Sequence, residues 1–120
     1  MLAVSSDTLT IRPFLPGDLG ALLPLNNAAV PAVNELTAEE LLDLVNSALV
    51  CLVAVVDDTP AGFLLCLGDG AGYDSRNYQW LSQRVSNFAY TDRICVDESL
   101  RGTRIGAALY APLFECFAVM

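Results

Sequence analysis

Residues 94–109, Ile-Cys-Val-Asp-Glu-Ser-Leu-Arg-Gly-Thr-Arg-Ile-Gly-Ala-Ala-Leu, constrain this chain more than any other stretch. An apolar run breaks at a turn of acidic and small residues. Apolar positions then recur at helical spacing, so the expected unit is strand, loop, helix. Gly102 and Gly106 remove side chains where a ligand could approach the backbone closely. The first turn of the helix has amides with no intrahelical acceptor, and the helix dipole favours an anion there. Arg101 and Arg104 bring guanidinium forks, which match phosphate oxygens, to the same loop. Arg101, Gly102, Thr103, Arg104, Ile105, Gly106 and Ala107 together read as a pyrophosphate cradle.

Two common phosphate motifs are excluded. A P-loop ends in Gly-Lys-[Ser/Thr], and the chain has no lysine. The dinucleotide fingerprint G-x-G-x-x-G is also absent. The residues resemble the acetyl-coenzyme A loop of the GNAT-superfamily N-acetyltransferases, [Arg/Gln]-x-x-Gly-x-[Gly/Ala]. Arg101 fills the first position and Gly106 the last, while Arg104 replaces the inner glycine. The opening Leu9-Thr10-Ile11-Arg12-Pro13 and the strand at residues 88–96 extend the resemblance over nearly the whole chain. It implies acetyl-CoA as cosubstrate and an amine as acceptor. It also implies that backbone groups of Ile94, Cys95 and Val96, on a strand that is often bulged, hold the pantetheine arm and polarise the thioester carbonyl. GNAT domains usually continue beyond the helix that Met120 ends in, so the resemblance implies a chain cut short of the C-terminal half. That half often supplies the tyrosine that protonates the leaving thiolate.

Composition narrows the chemistry. At 120 residues the chain is one small domain, long enough to bury a core. No apolar run reaches the ~20 residues that span a bilayer, and the first residues lack the basic start of a signal peptide. The expected location is the cytoplasm, with no membrane partner. A net charge of −8 argues against a nucleic-acid surface. It suits a cationic amine or simple solubility equally. Half of the six arginines lie near the cradle if Arg93 is counted with Arg101 and Arg104, which favours an anion there. With no histidine, a Ser-His-Asp or Cys-His nucleophile and a His-ligated metal site are ruled out, and no metal is expected. Cys51, Cys66, Cys95 and Cys116 have no C-x-x-C spacing and read as buried free thiols.

In chain order, Leu9, Ile11 and Pro13 alternate with polar residues in a half-buried strand. A helix follows from Pro16, with Leu19, Leu22 and Leu23 at helical spacing, and Pro24 is expected to kink or end it. Asn26 and Asn27 lead a connector through residues 30–34. The resemblance makes this region one wall of the acceptor site, and the two asparagines are candidates to bind the acceptor or to cap the helix end. Thr37 and Glu40 form a capping box before a second short helix whose expected core face is Leu41, Leu42 and Val45. Residues 49–56 read as a buried central strand, and residues 61–67 pair back after a turn at residues 57–60. Residues 68–87 form a long connection with a short helix expected at 78–85. Its Tyr73, Asp74 and Tyr78 are candidate acceptor contacts, while Tyr78, Trp80 and Leu81 could equally pin the loop to the sheet. The last helix directs Ile105, Ala108, Leu109, Leu113 and Cys116 inward, with Pro112 interrupting it.

The expected fold class is α/β: a GNAT-like mixed, mainly antiparallel sheet flanked by helices, in the order β-α-α-β-β-(short α)-β-α. Asp92 and Asp74 are the candidate bases, directly or through water. Asp92 could instead pair with Arg93 or Arg12 at the sheet surface. Cys95 as an acyl carrier has no histidine to activate it. Two functions remain open: an N-acetyltransferase acting on a primary amine of a small molecule or peptide, or an inactive module that binds CoA or a protein. The terminal helix presents Leu113, Phe114, Phe117 and Val119 on more than one face, so homo-oligomerisation through exposed apolar surface is expected.

Overall fold

A computed structural model of the chain describes residues 9–68, 89–100 and 104–116. The expected helix at 78–85, together with Tyr73, Asp74, Tyr78, Trp80, Arg101, Gly102 and Thr103, lies outside the described residues. The described elements are β1 (Leu9–Pro13), α1 (Leu19–Ala28), α2 (Ala38–Ser47), β2 (Val50–Val56), β3 (Thr59–Gly68), β4 (Ala89–Val96) and α3 (Ile105–Cys116), with short 3-10 turns at Pro16–Asp18 and Glu98–Leu100. Among the described residues the strands form one antiparallel sheet in the order β1-β2-β3-β4.

Both faces of the sheet are covered, which is why β2 and β3 are almost uninterrupted apolar runs. On one face Leu22 of α1 and Leu41 of α2 pack with Cys51, Val53, Phe63, Leu65 and Cys95. On the other, Ile105 and Leu109 of α3 pack with Leu52, Ala54, Leu64 and Cys66. The three cysteines with described side chains are buried free thiols. Burial pushes the Cys51 thiol up to about 12, with smaller contributions from Asp18 and Cys66, so it stays protonated at neutral pH.

Two expectations need correction. α1 continues through Pro24 to Ala28 rather than ending there. Pro24 and Gly20, whose carbonyl loses its helical donor, are both exposed, so water can satisfy that carbonyl. Leu22 and Asn26, fully buried on the other side, hold the helix in place against the cost of the proline. In α2 the Thr37–Glu40 capping box is present, Glu40 N donating to Thr37 Oγ1 and Thr37 N to Glu40 Oε1. Leu42, however, is 37% exposed. The inward face runs through Leu41, Leu44 and Val45, and Leu42 sits about 100° away from Leu41 around the helix axis.

The β2–β3 turn is tighter than expected, since Val56 pairs directly with Thr59. Asp57 and Asp58 both have positive φ, 50° and 65°, as a type I′ hairpin turn requires. At the other end of the sheet, Arg12 clamps the start of the first helical segment. Its Nη1 and Nη2 donate to Asp18 Oδ2 (2.7 Å) and Oδ1 (2.8 Å), and the Leu15 amide donates to Oδ2 (2.7 Å). The Arg12 hydrogen bonds, aided by the Leu15 amide, hold the Asp18 carboxyl below its usual range.

Replacing the turn pair by Asp57→Asn with Asp58→Gly should raise stability in urea unfolding by about 1 kcal/mol, because both new residues accept positive φ more readily. The Asp18 pair makes stability depend on pH. The folded chain binds a proton at Asp18 less readily than the unfolded chain, so the contribution is complete above the unfolded carboxyl value of about 4 and is lost as pH falls through the lower folded value. Asp18→Asn should therefore be less stable than the parent at neutral pH, and the gap should narrow as urea melts are taken into acid.

Candidate functional site

The site starts from an irregularity in β4. Leu65 pairs with Arg93 and Cys66 with Thr91, so Asp92 is an extra residue against β3. Such a bulge bends the strand and breaks the strict alternation of faces. Here it lets consecutive side chains meet: Arg93 Nε donates to Asp92 Oδ2 at 2.7 Å, with the two side chains 3% and 6% exposed. Asp92 does pair with Arg93, but inside the protein rather than at the sheet surface. The expectation that Arg93 joins the anion-binding arginines is corrected too. Both faces of the sheet are covered, so Arg93 is 5% exposed and its guanidinium is engaged internally. Nη1 donates to Asn26 Oδ1 (2.7 Å) and Nη2 to Asn34 Oδ1 (2.8 Å).

Asn26 and Asn27 lie in the last turn of α1 rather than beyond it. Asn26 is fully buried, and its amide group donates to Asn27 Oδ1 and Asn34 O. Asn27 exchanges hydrogen bonds with the backbone of Leu36, donating to its carbonyl and accepting from its amide. The two side chains therefore fasten the α1–α2 connector. No buried side-chain nitrogen or oxygen among the described residues lacks a partner.

Beyond the bulge, β4 ends against the start of α3. Asp97 N donates to Ala61 O, continuing the pairing past the strand. Asp97 Oδ1 then accepts from both the amide and the hydroxyl of Ser99, which shapes the turn and holds the Asp97 carboxyl below its usual range. Arg104 is exposed, and its carbonyl accepts from Ala108 N at 2.9 Å, so it caps α3. The amides of Ile105, Gly106 and Ala107 fall in the first turn, where no intrahelical carbonyl is available.

An open cleft of about 780 Å³ lies between these parts. Ile94, Cys95 and Val96 of β4 and Gly106 of α3 form one side, and residues 28–32 after α1 form the other. The structure thus brings together the strand end and the glycine of the cradle with the connector that follows Asn26 and Asn27. Asp92, Asn26 and Asn27 are not among the lining residues. Every described lining residue is apolar or glycine, and Ala28, Val30, Pro31 and Ala32 are exposed. The signal for this five-residue rim in the sequence is the uncharged run Ala-Ala-Val-Pro-Ala directly after Asn26 and Asn27.

The two glycines near the cleft act differently. A Cβ on Gly62 would lie 2.9 Å from the Cys95 carbonyl oxygen and 3.4 Å from Val96 Cα, so only glycine lets β3 approach the end of β4 under Ile105. A Cβ on Gly106 would meet only Ile94 Cδ1 at 4.0 Å. Within the protein there is room for a side chain at Gly106, and the space it would occupy is cleft.

This topology, with a bulged strand leading into a helix start beside an open cleft, has counterparts. The sequence profile of the Acetyltransferase (GNAT) family matches residues 22–117. The chain belongs to that family. Among solved structures, Ard1 from Thermoplasma volcanium superposes with a TM-score of 0.65 at 22% identity, over 90% of this chain and 62% of that one. The yncA protein of Salmonella typhimurium, solved with its cofactor acetyl-CoA, gives 0.68 at 18% identity, covering 90% and 62%. The GNAT-like decarboxylase GphF, in complex with isobutyryl-CoA, gives 0.63 at 22% identity, covering 83% and 54%. The chain thus spans somewhat more than half of the length of these structural relatives. No curated protein sequence matches it significantly. Among the described residues no helix is long and apolar enough to cross a membrane, and no group of three or more acidic, cysteine or histidine side chains could hold a metal ion.

The glycine geometry predicts opposite outcomes for the same substitution. Gly62→Ala must move backbone and should cost about 1–3 kcal/mol in urea unfolding. Gly106→Ala meets no obstacle, and gaining a better helix former should leave stability equal or raised by up to about 1 kcal/mol.

Proposed function

We propose that this chain carries the acyl-CoA side of an N-acetyltransferase, which moves the acetyl group of acetyl-CoA to a primary amine of a small molecule or peptide. The observation that carries the reading is the cleft itself: strand end, open glycine and the first turn of α3 on one side, and an apolar rim on the other.

The residues fit such a cosubstrate. Ile105, Gly106 and Ala107 offer amide donors and the dipole of α3 to a pyrophosphate. Arg104 is exposed at the same helix start, and Arg101 precedes it by three residues in the sequence. Gly106 leaves space for close approach of the ligand. Ile94, Cys95 and Val96 provide an apolar strand end for the pantetheine arm, with backbone amides to polarise a carbonyl. When bound, acetyl-CoA supplies an acetyl group activated as a thioester. The rim at residues 28–32 offers neither charge nor side-chain hydrogen bonds, so it favours an acceptor with an apolar group beside its amine.

The geometry of Asp92 supports a supporting role over that of base. Its carboxylate is held by Arg93 and is not part of the cleft lining. Asp74 remains a candidate base from the sequence alone. Cys95 lines the cleft but is 2% exposed, and the chain has no histidine to activate it, so direct attack by the amine is the reading we adopt.

Calorimetry with CoA and acetyl-CoA tests the cosubstrate. The parent should bind both, and Gly106→Val should weaken binding about tenfold or more, 1.4 kcal/mol at least. Equal affinity in parent and variant places the ligand elsewhere. Release of free thiol with a panel of amines tests the reaction, and amines flanked by apolar groups should be favoured over those flanked by carboxylates. Binding without turnover on any amine would make the chain a CoA-binding module instead.

A further inference from the structure

The side chains that fasten the connector lie outside the cleft, yet they link its two sides. Each nitrogen of the Arg93 guanidinium has its own partner: Nε on Asp92, Nη1 on Asn26 and Nη2 on Asn34, at 2.7, 2.7 and 2.8 Å. Ile94, immediately after Arg93, begins the strand side of the cleft. The rim, residues 28–32, lies in sequence between the other two partners, Asn26 and Asn34. Asn26 Nδ2 also donates to the Asn34 carbonyl, and Asn27 holds Leu36 through both backbone groups. Within the rim, Ala32 N donates to Ala29 O. The rim is therefore a short loop whose two ends are tied to one guanidinium carried by β4, the strand whose end forms the opposite side of the cleft.

We propose that Arg93 is a positioning residue for the acceptor side of the cleft, setting the separation of the residue 28–32 rim from the end of β4, with Asn34 as the bond that locks the rim. This rests on the acetyltransferase reading for its consequence in catalysis, though not for its geometry. The planar fork suits the role, because three partners in different directions are met by one rigid, permanently charged group. A lysine could offer only a point charge on a flexible stem. The bulge contributes as well. It brings the Asp92 carboxylate to Nε, so the buried cation has a counter-ion, while Nη1 and Nη2 remain for the two asparagines.

Replacing Arg93 would strand the Asp92 carboxylate in the interior and could prevent folding, so the test is made at Asn34, an exposed residue. Three chains are compared: parent, Asn34→Ala, and Asn34→Asp, which keeps an oxygen acceptor for Nη2 and strengthens it with charge. Amide hydrogen exchange is followed at Ala32 and Leu36, whose N–H groups are bonded inside the loop. In Asn34→Ala both should exchange about tenfold faster, the scale of one lost charge-assisted hydrogen bond, while amides of β2 and β3 keep parent rates. Asn34→Asp should restore parent exchange at both. With acetyl-CoA and an accepted amine, Asn34→Ala should raise the acceptor KM with little change in the Kd for CoA, and Asn34→Asp should reverse the rise. Unchanged exchange at Ala32 and Leu36, or acceleration shared equally with β2 and β3, overturns the proposal. So does an Asn34→Asp chain that behaves as Asn34→Ala. A parent that binds no CoA and acetylates no amine overturns the acetyltransferase reading alone, because the exchange measured on the free chain still judges the positioning role.

Discussion

The arrangement of this domain depends on a guanidinium buried where both faces of the sheet are covered. Removing a cation from water costs far more than any single neutral contact returns, so its surroundings must supply a counter-charge and matched acceptors. Several features that look independent follow from that need. β4 bulges at Asp92, which puts a carboxylate beside the arginine on its own strand. α1 extends past Pro24 so that Asn26, in its last turn, reaches Nη1. The connector folds back so that Asn34 reaches Nη2. Strand, helix and loop are thereby fastened at one point, next to the cleft but outside it.

The cleft owes its other side to an absence of atoms. Gly62 lets β3 lie close under the end of β4, and Ile105 rests over the same place, so the first turn of α3 starts directly beyond Val96. Gly106 then faces open space rather than a neighbour. One glycine is needed for packing and the other is available for a ligand, although both occur in apolar surroundings with little in the local sequence to separate them. Charge is distributed in a similar way. Among the described arginines, Arg12 and Arg93 pair with internal carboxylates and Arg104 is exposed at the helix start.

Family membership and the likeness to solved structures define a scaffold. Reaction chemistry belongs to the groups placed on it. Two of the structural relatives make the point: yncA is solved with acetyl-CoA, whereas the GNAT-like decarboxylase is solved with isobutyryl-CoA. An acyl thioester of coenzyme A is common to both, while the acyl group differs and one of the two is a decarboxylase. For the present chain the acyl-CoA half of the proposal accordingly rests on strand and helix-start geometry, and the acceptor half on the apolar rim.

Much of the fold was legible because local rules and global packing agree. The capping box at Thr37 and Glu40, the apolar runs of β2 and β3, and the strand-to-helix passage around Gly106 each carry their signal within a few residues. The strand end and Gly106 of the candidate cradle were legible for the same reason. Other features depended on partners distant in sequence. Pro24 signals a helix break, but the burial of Leu22 and Asn26 outweighs it. Arg93 beside Arg101 and Arg104 reads as part of an anion site, yet its partners include Asn26, 67 residues away. Asn26 and Asn27 read as acceptor contacts or caps, and became the fastening of a loop. The sequence alone determined which of the described segments are strands and helices and where the strand-to-helix turn before Gly106 falls, because hydrophobic period and turn chemistry are local. Only the tertiary structure decided which polar side chains are buried and which partners they take, because a buried charge is settled by whatever groups the fold brings to it.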